Sequence, residues 1–242
     1  MLSIASTARL TRNSGTWANS WDGYRRLSVT RRASSGFFGG PFAFASYVVV
    51  GGPSRHHHEI RAFRSRHPDA FDTLLQRFAD IFAEYLRYQV EAGADVVQLF
   101  DTYAGILSPA EYREFILPLH KRILRDVPVP SIIFVRNPGG KLGLLNESGA
   151  DVVSLDWTVD MEAARAQLGE TPVQGNLDPS YLRGSEALVR TKTREVIEAA
   201  GNQGHILNLG HGVHKDTPIE NVQAFIETAR NSAKKSRHST SR

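Results

Sequence analysis

Five times along this chain of 242 residues a short apolar run stops abruptly on polar residues and a tight turn. The runs are DVVQLFDTYAG (95–105), PSIIFVRNPGG (130–140), DVVSLDWTVD (151–160), TPVQGNLDP (171–179) and HILNLGHGVH (205–214). A stretch with helical spacing follows each of them. That alternation is the signature of repeated strand–helix units on a parallel sheet, in which polar groups collect at one end of the strands. In such α/β folds, whether an open parallel sheet or a closed barrel, chemistry sits at the C-terminal strand ends. Thr102, Asp156, Asn176, Asp178 and His211 stand at those ends and are the first candidates for a site.

The segments between the runs fit the same scheme. Residues 36–52, GFFGGPFAFASYVVVGG, read as a strand end, a loop and the start of a helix packed on a core. Residues 69–92 carry Phe71, Leu74, Leu75, Phe78, Ile81, Phe82, Tyr85 and Leu86 at three- and four-residue spacing, an amphipathic helix. Asp69 is its expected cap and Gly93 its stop. Ser108-Pro109-Ala110-Glu111 is a capping box with proline at the first helical position, opening a helix expected to reach about Asp126. Further helices are expected at about 141–148, 160–168, 185–200 and 218–232.

Composition narrows the chemistry. There is no cysteine, which excludes disulfides, thiolate zinc sites and cysteine nucleophiles. No apolar run is long enough for a membrane-spanning helix. The net charge of +4 is uneven. Arg9, Arg12, Arg25, Arg26, Arg31 and Arg32 against Asp22 give 1–35 a charge of +5. Lys234, Lys235, Arg237 and Arg242 give 233–242 a charge of +4, which leaves −5 on 36–232. Residues 1–35 are expected to be a basic leader or non-native start, and 233–242 a basic tail, both disordered. The folded domain is expected over 36–232. Neither a basic folded face nor a recognisable nucleic-acid module is present, so no nucleic-acid or membrane partner is expected.

Among the candidates, His211 is flanked by Gly210 and Gly212, which let a ligand approach its imidazole closely. Asp156 could orient a base, bind a cation or cap the next helix. Asp178, before Pro179, carries a turn signal, and the structural role is expected for it. In Asp101-Thr102-Tyr103, strand alternation would send Thr102 to the opposite side from both neighbours. His56, His57 and His58 are consecutive and do not converge on one ion, so a solvated loop is expected there and no metal site. Gly39-Gly40 and Gly51-Gly52 match neither a P-loop nor a dinucleotide fingerprint.

The segments GGPFAFASYVVVGG, LFDTYAGILSPAEY, ADVVSLDWTVD, VQGNLDPSYL and HILNLGHGVHKDTP, in this order and spacing, resemble the C-terminal part of the uroporphyrinogen decarboxylase family. The resemblance runs from about Gly36 to about Arg230, and DWT, QGNLDP and NLGHG together make it specific. It implies a (β/α)8 TIM-barrel fold, with about six of the eight strand–helix units present here. It also implies a homodimer that needs neither coenzyme nor metal. The implied activity is that of a carboxy-lyase, removing CO2 from the four acetates of uroporphyrinogen III to give coproporphyrinogen III. Carried over by motif position, Tyr47, Thr102 and His211 resemble substrate-binding residues, and Phe37 and Phe100 resemble walls of the porphyrinogen pocket. The family's arginine cluster and its pyrrole-binding aspartate have no counterpart in residues 1–35, and Asp101 and Asp156 are not obvious replacements. No catalytic residue is therefore assigned.

Two other readings stand beside this one. A truncated, inactive member of the family would keep the sequence pattern without the activity. A methyltransferase relative would hold zinc with histidine and cysteine, and the lack of cysteine counts against it. A cytoplasmic location is expected, or a plastid or mitochondrial one if residues 1–35 form a transit peptide.

Overall fold

The computed structural model describes residues 33–52, 57–201 and 203–239, with backbone alone for 234–239. The expected leader therefore lies almost wholly outside the described residues. Internal contacts divide the chain into two compact units, meeting at Val153 and Ser154.

The first unit contains β1 (Ser35–Gly39), α1 (Pro41–Val50), α2 (His58–Arg66), α3 (Pro68–Glu91) and β2 (Val96–Phe100). A 3₁₀ turn (Thr102–Ile106) and a helical run follow, then β3 (Ser131–Phe134), α6 (Leu142–Asn146) and β4 (Val152–Ser154). The helical run comprises α4 (Pro109–Glu111), a π turn (Tyr112–Ile116) and α5 (Leu117–Leu124). β1 pairs with β2 and β2 with β3, all parallel, so that Phe38 lies beside Leu99 and Leu99 beside Ile133. The Asp151 amide donates to the Ser131 carbonyl at 3.0 Å and aligns the entry to β4 with β3. Parallel neighbours need crossovers, and the helices supply them.

Phe38, Leu99 and Ile133 share one face and are buried, with Phe38 against Phe82 of α3 at 6.2 Å between ring centres. Phe37, at 59% exposure, lies on the other face. From α3 the core receives Phe71, Leu75, Ala79, Phe82 and Leu86. Ile81 and Tyr85, expected within the apolar stripe, are instead exposed, so the buried stripe is narrower than the spacing implied. Asp69 is not the cap of α3. His67 holds that position, because Pro68 lacks an amide hydrogen and takes the first helical position, which leaves Asp69 as an acid in the first turn.

The capping box at Ser108 forms in both directions: Glu111 N donates to Ser108 Oγ at 3.2 Å and Ser108 N to Glu111 Oε2 at 2.9 Å. The helix it opens is neither uniform nor as long as expected. It widens into the π turn at Tyr112–Ile116 just before Pro118 and ends at Leu124. Pro118 has no amide hydrogen for the carbonyl four residues back, and a π turn absorbs that break in the ladder.

The second unit contains α7 (Met161–Leu168), β5 (Val173–Leu177), a 3₁₀ turn (Pro179–Arg183), α8 (Glu186–Ala200), β6 (His205–Leu209) and α9 (Ile219–Ser239). β5 and β6 are parallel, in register from Val173↔His205 to Leu177↔Leu209. Leu155 N, just past β4, donates to Gln174 O at 2.8 Å. Leu177, Leu182, Val189, Ala224 and Phe225 form the core of this unit. Asp160 caps α7 through Ala163 N, and Ser185 caps α8 through Leu188 N. Helical backbone in α9 continues to Ser239, past the expected end near 232, so 233–239 is helix rather than an irregular tail.

His205, at the start of β6, donates from Nε2 to Gly175 O at 2.6 Å. Burial nevertheless holds its pKa below the usual 6.5; the carbonyl bond works against that shift and nearby Arg165 adds to it. The unfolded chain therefore binds a proton at this site before the folded one does. The His205 contribution to stability is complete above about pH 6.5 and is lost as pH falls through the depressed folded value. His205→Gln should flatten the fall in urea midpoint on acidification below pH 6.5. An unchanged slope would rule this origin out.

Candidate functional site

In the first unit the site begins at Asp101, the residue after β2. Its carboxylate is fully buried and accepts from Phe42 N at 3.2 Å, Ala43 N at 2.8 Å and His120 Nε2 at 3.0 Å. The two amides belong to the first turn of α1, where an anion meets unsatisfied N–H groups and the positive end of the helix dipole. His120 Nδ1 lies 2.9 Å from the Tyr112 hydroxyl, so a buried Asp101–His120–Tyr112 chain runs from the strand end to the π turn. With Nε2 donating to the carboxylate, the neutral imidazole accepts at Nδ1 and Tyr112 is the donor there. Burial, and then the Asp101 charge, push the Tyr112 pKa well above its usual value, so Tyr112 keeps its proton.

This anchor fixes the start of α1, which carries Tyr47 on its exposed side. The Tyr47 hydroxyl lies 3.0 Å from that of Tyr103, with ring centres 5.3 Å apart. The Tyr103 pKa is pushed up to about 12, chiefly by that hydrogen bond and then by burial, while Arg136 pulls it down. Behind Tyr103 the buried ring of His57 sits at 4.3 Å, with Nδ1 3.4 Å from Ser46 Oγ. Thr102, half-buried, opens the 3₁₀ turn next to Tyr103. Phe37 and Phe100 meet edge-to-face at 6.5 Å, and Phe100 packs on Phe134 at 5.7 Å, forming an aromatic wall on the sheet face opposite α3.

In the second unit, His211 is exposed just past β6. Its Nδ1 accepts from Gly212 N at 2.7 Å, which places the proton of the neutral ring on Nε2. The ring stands edge-on to Trp157 at 6.1 Å. Gly210 permits this approach: a Cβ there would lie 2.5 Å from Trp157 N. Asp156 is buried and accepts from the amide of Thr158 at 3.0 Å and from its hydroxyl. Asn176 Nδ2 donates to Asp156 O at 3.0 Å and Val159 O at 2.7 Å, which fastens the loop after β4. Asp178 caps the 3₁₀ turn through Ser180 N at 2.8 Å.

Of the five strand-end candidates, then, Asp156, Asn176 and Asp178 hold loops, as expected for Asp178. Thr102 and His211 stand more open, and in the first unit Tyr47 packs on Tyr103, the residue after Thr102. Alternation does not decide the Asp101-Thr102-Tyr103 order, because the chain leaves strand geometry after Phe100: Asp101 turns into the core while Thr102 and Tyr103 are both half-buried. The solvated-loop expectation fails for His57, which is buried, and His56 lies outside the described residues. Tyr103 and Phe134 complete the cluster; from the sequence Tyr103 figures only as a neighbour of Thr102, and Phe134 is not named. Phe134 could have been found from the parallel register with Phe100, and Tyr103 from its place beside Thr102 in the FDTYAG segment. Among the described residues no group of three or more His, Asp or Glu side chains is arranged to hold a metal, and no helix is long and apolar enough to cross a membrane.

The family described as Uroporphyrinogen decarboxylase (URO-D) matches residues 27–232. The chain belongs to the uroporphyrinogen decarboxylase family. A uroporphyrinogen decarboxylase of Synechococcus sp. (strain JA-3-3Ab) is 46% identical over 203 residues, covering 82% of this chain and 56% of that protein. One from Gloeobacter violaceus (strain ATCC 29082 / PCC 7421) is 45% identical over 204 residues, covering 82% and 59%. The chain thus spans less than three-fifths of the length of these relatives. Among solved structures, a methyltransferase from Methanosarcina mazei has a TM-score of 0.73 at 21% identity, covering 83% of this chain and 59% of that one. At that identity the likeness shows the fold alone. The fold is α/β of the TIM-barrel type, with six strands among the described residues where a complete barrel has eight.

Proposed function

We propose that this protein acts as a uroporphyrinogen decarboxylase, removing CO2 from the acetate side chains of uroporphyrinogen III, with Tyr47, Thr102 and His211 as substrate contacts. One observation carries the reading. The family's motifs occur in order, and the matched Tyr47, Thr102 and His211 stay accessible while their polar neighbours Asp101, Asp156, Asn176 and Asp178 are committed to loops and helix ends. Phe37 and Phe100, backed by the buried Phe134, offer an apolar wall suited to a pyrrole face.

The chemistry explains the residue types. A pyrrole acetate loses CO2 readily once a proton adds to a ring carbon and the ring becomes an electron sink. The bond to the carboxylate then breaks, its electron pair flows into the cationic ring, and CO2 leaves. Protonation of the methylene gives a methyl group, and loss of the ring proton restores the pyrrole. The protein must hold a polyanion and supply proton donors. His211 with its proton on Nε2, the Tyr47 phenol and the Thr102 hydroxyl are such donors.

A second reading is binding without turnover. Asp101 and Asp156 are buried and already accept backbone amides, so neither is placed to receive pyrrole N–H groups. Anaerobic incubation of the purified chain with uroporphyrinogen III, with products separated by chromatography, decides between the two. Decarboxylation should yield hepta- through tetracarboxylic products, and His211→Ala or Tyr47→Phe should slow it by about 10- to 100-fold. Heat of binding without product would select the second reading, and neither heat nor product would refute both.

A further inference from the structure

We propose that Tyr103 is a positioning residue for Tyr47: its hydroxyl and ring hold the Tyr47 side chain in one orientation, with the phenol presented to the bound porphyrinogen. The inference rests on the reading of Tyr47 as a substrate contact. It gives a role to Tyr103, which the motifs leave without one, and explains how an exposed tyrosine on a helix is held.

Tyr47 is 41% exposed and α1 supports it from one side, with Phe44 edge-on at 6.4 Å. An exposed side chain with that support would otherwise sample several rotamers. Tyr103 restrains it, through the 3.0 Å hydroxyl contact and through rings tilted by 38° at 5.3 Å. Tyr103 is itself braced by the buried His57 ring at 4.3 Å, which Ser46 of α1 contacts in turn.

A phenol has one proton and can also accept. Paired with Tyr103 at 3.0 Å, the Tyr47 hydroxyl still has capacity for one further hydrogen bond, and the proposed porphyrinogen supplies the partner.

The test is a double-mutant cycle on the full 242-residue chain, with wild type, Tyr47→Phe, Tyr103→Phe and the double variant. Uroporphyrinogen III is titrated anaerobically into each and its affinity read by calorimetry, alongside thermal melting. Tyr103→Phe should weaken binding about five- to tenfold, the effect of one hydrogen bond, and leave the melting temperature at the wild-type value. The double variant should bind no more weakly than Tyr47→Phe alone, because Tyr103 acts through Tyr47. Wild-type affinity in Tyr103→Phe, or losses that multiply in the double variant, would overturn the inference while leaving Tyr47 a substrate contact. Wild-type affinity in Tyr47→Phe, or no binding by the wild-type chain, would remove the reading on which it rests and the inference with it.

Discussion

Asp101→Ala is expected to destabilise the protein by about 4 kcal/mol, since it strands three buried donors at once. Phe42 N and Ala43 N lose the acceptor that satisfies the first turn of α1, and His120 Nε2 loses the partner that fixes its tautomer. No solvent reaches the site, because Asp101, His120 and Tyr112 are all fully buried. Asp101→Asn keeps an acceptor oxygen but removes the charge from the helix N-terminus and adds a donor with no acceptor to receive it. Its cost should be smaller, about 2 kcal/mol. Urea denaturation at neutral pH measures both. An Asp101→Ala variant within about 1 kcal/mol of wild type would show that the chain to Tyr112 contributes little.

The second large effect should come from a single methyl group. A Cβ on Gly105 would lie 1.8 Å from the Arg136 carbonyl oxygen, deep inside van der Waals contact. Neither side retreats easily. Arg136 follows β3, which is fixed by its register with β2, and Lys141 ties the two loops by donating to Gly105 O at 3.2 Å and Leu107 O at 3.1 Å. That amine is buried, and burial lowers its pKa from the usual lysine value. Gly105→Ala should therefore cost more than about 3 kcal/mol and displace the turn that carries Thr102 and Tyr103. Gly139→Ala is the control: its added Cβ meets nothing within 4 Å, and the change should stay within about 0.5 kcal/mol. Urea midpoints and near-ultraviolet circular dichroism read the two effects. A Gly105→Ala chain that unfolds at the wild-type midpoint would show that the loops slide apart freely.

Much of the fold was legible because it is local. The apolar runs and the Ser108 capping box formed as the spacing predicts, and the caps that the structure adds at Asp160 and Ser185 also depend on residues within a few positions of one another. The departures have equally local causes that periodicity overlooks. Pro68 displaced the cap of α3, and Pro118 accompanies the π turn. The apolar count for α3 overstated its buried face, because Ile81 and Tyr85 qualify by type but lie off the stripe facing the sheet.

The candidate site was legible only in part. Sequence motifs nominated Tyr47, Thr102, His211, Phe37 and Phe100 as candidates, but they could not say which neighbouring polar groups the fold consumes. Asp101 and Asp156 look alike in sequence, each an acid at a strand end. Asp101 caps a helix that begins about sixty residues earlier in the chain, whereas Asp156 closes its own turn on Thr158. Tyr103 likewise gains its meaning from Tyr47, 56 positions away. Strand repeat and helix order were legible from sequence alone, since both are written in short-range spacing, and the family was legible from the resemblance of its motif segments. Which hydroxyl faces which, and which carboxylate is buried beyond use, came only from tertiary structure, because those outcomes depend on contacts between distant segments that the parallel register brings together.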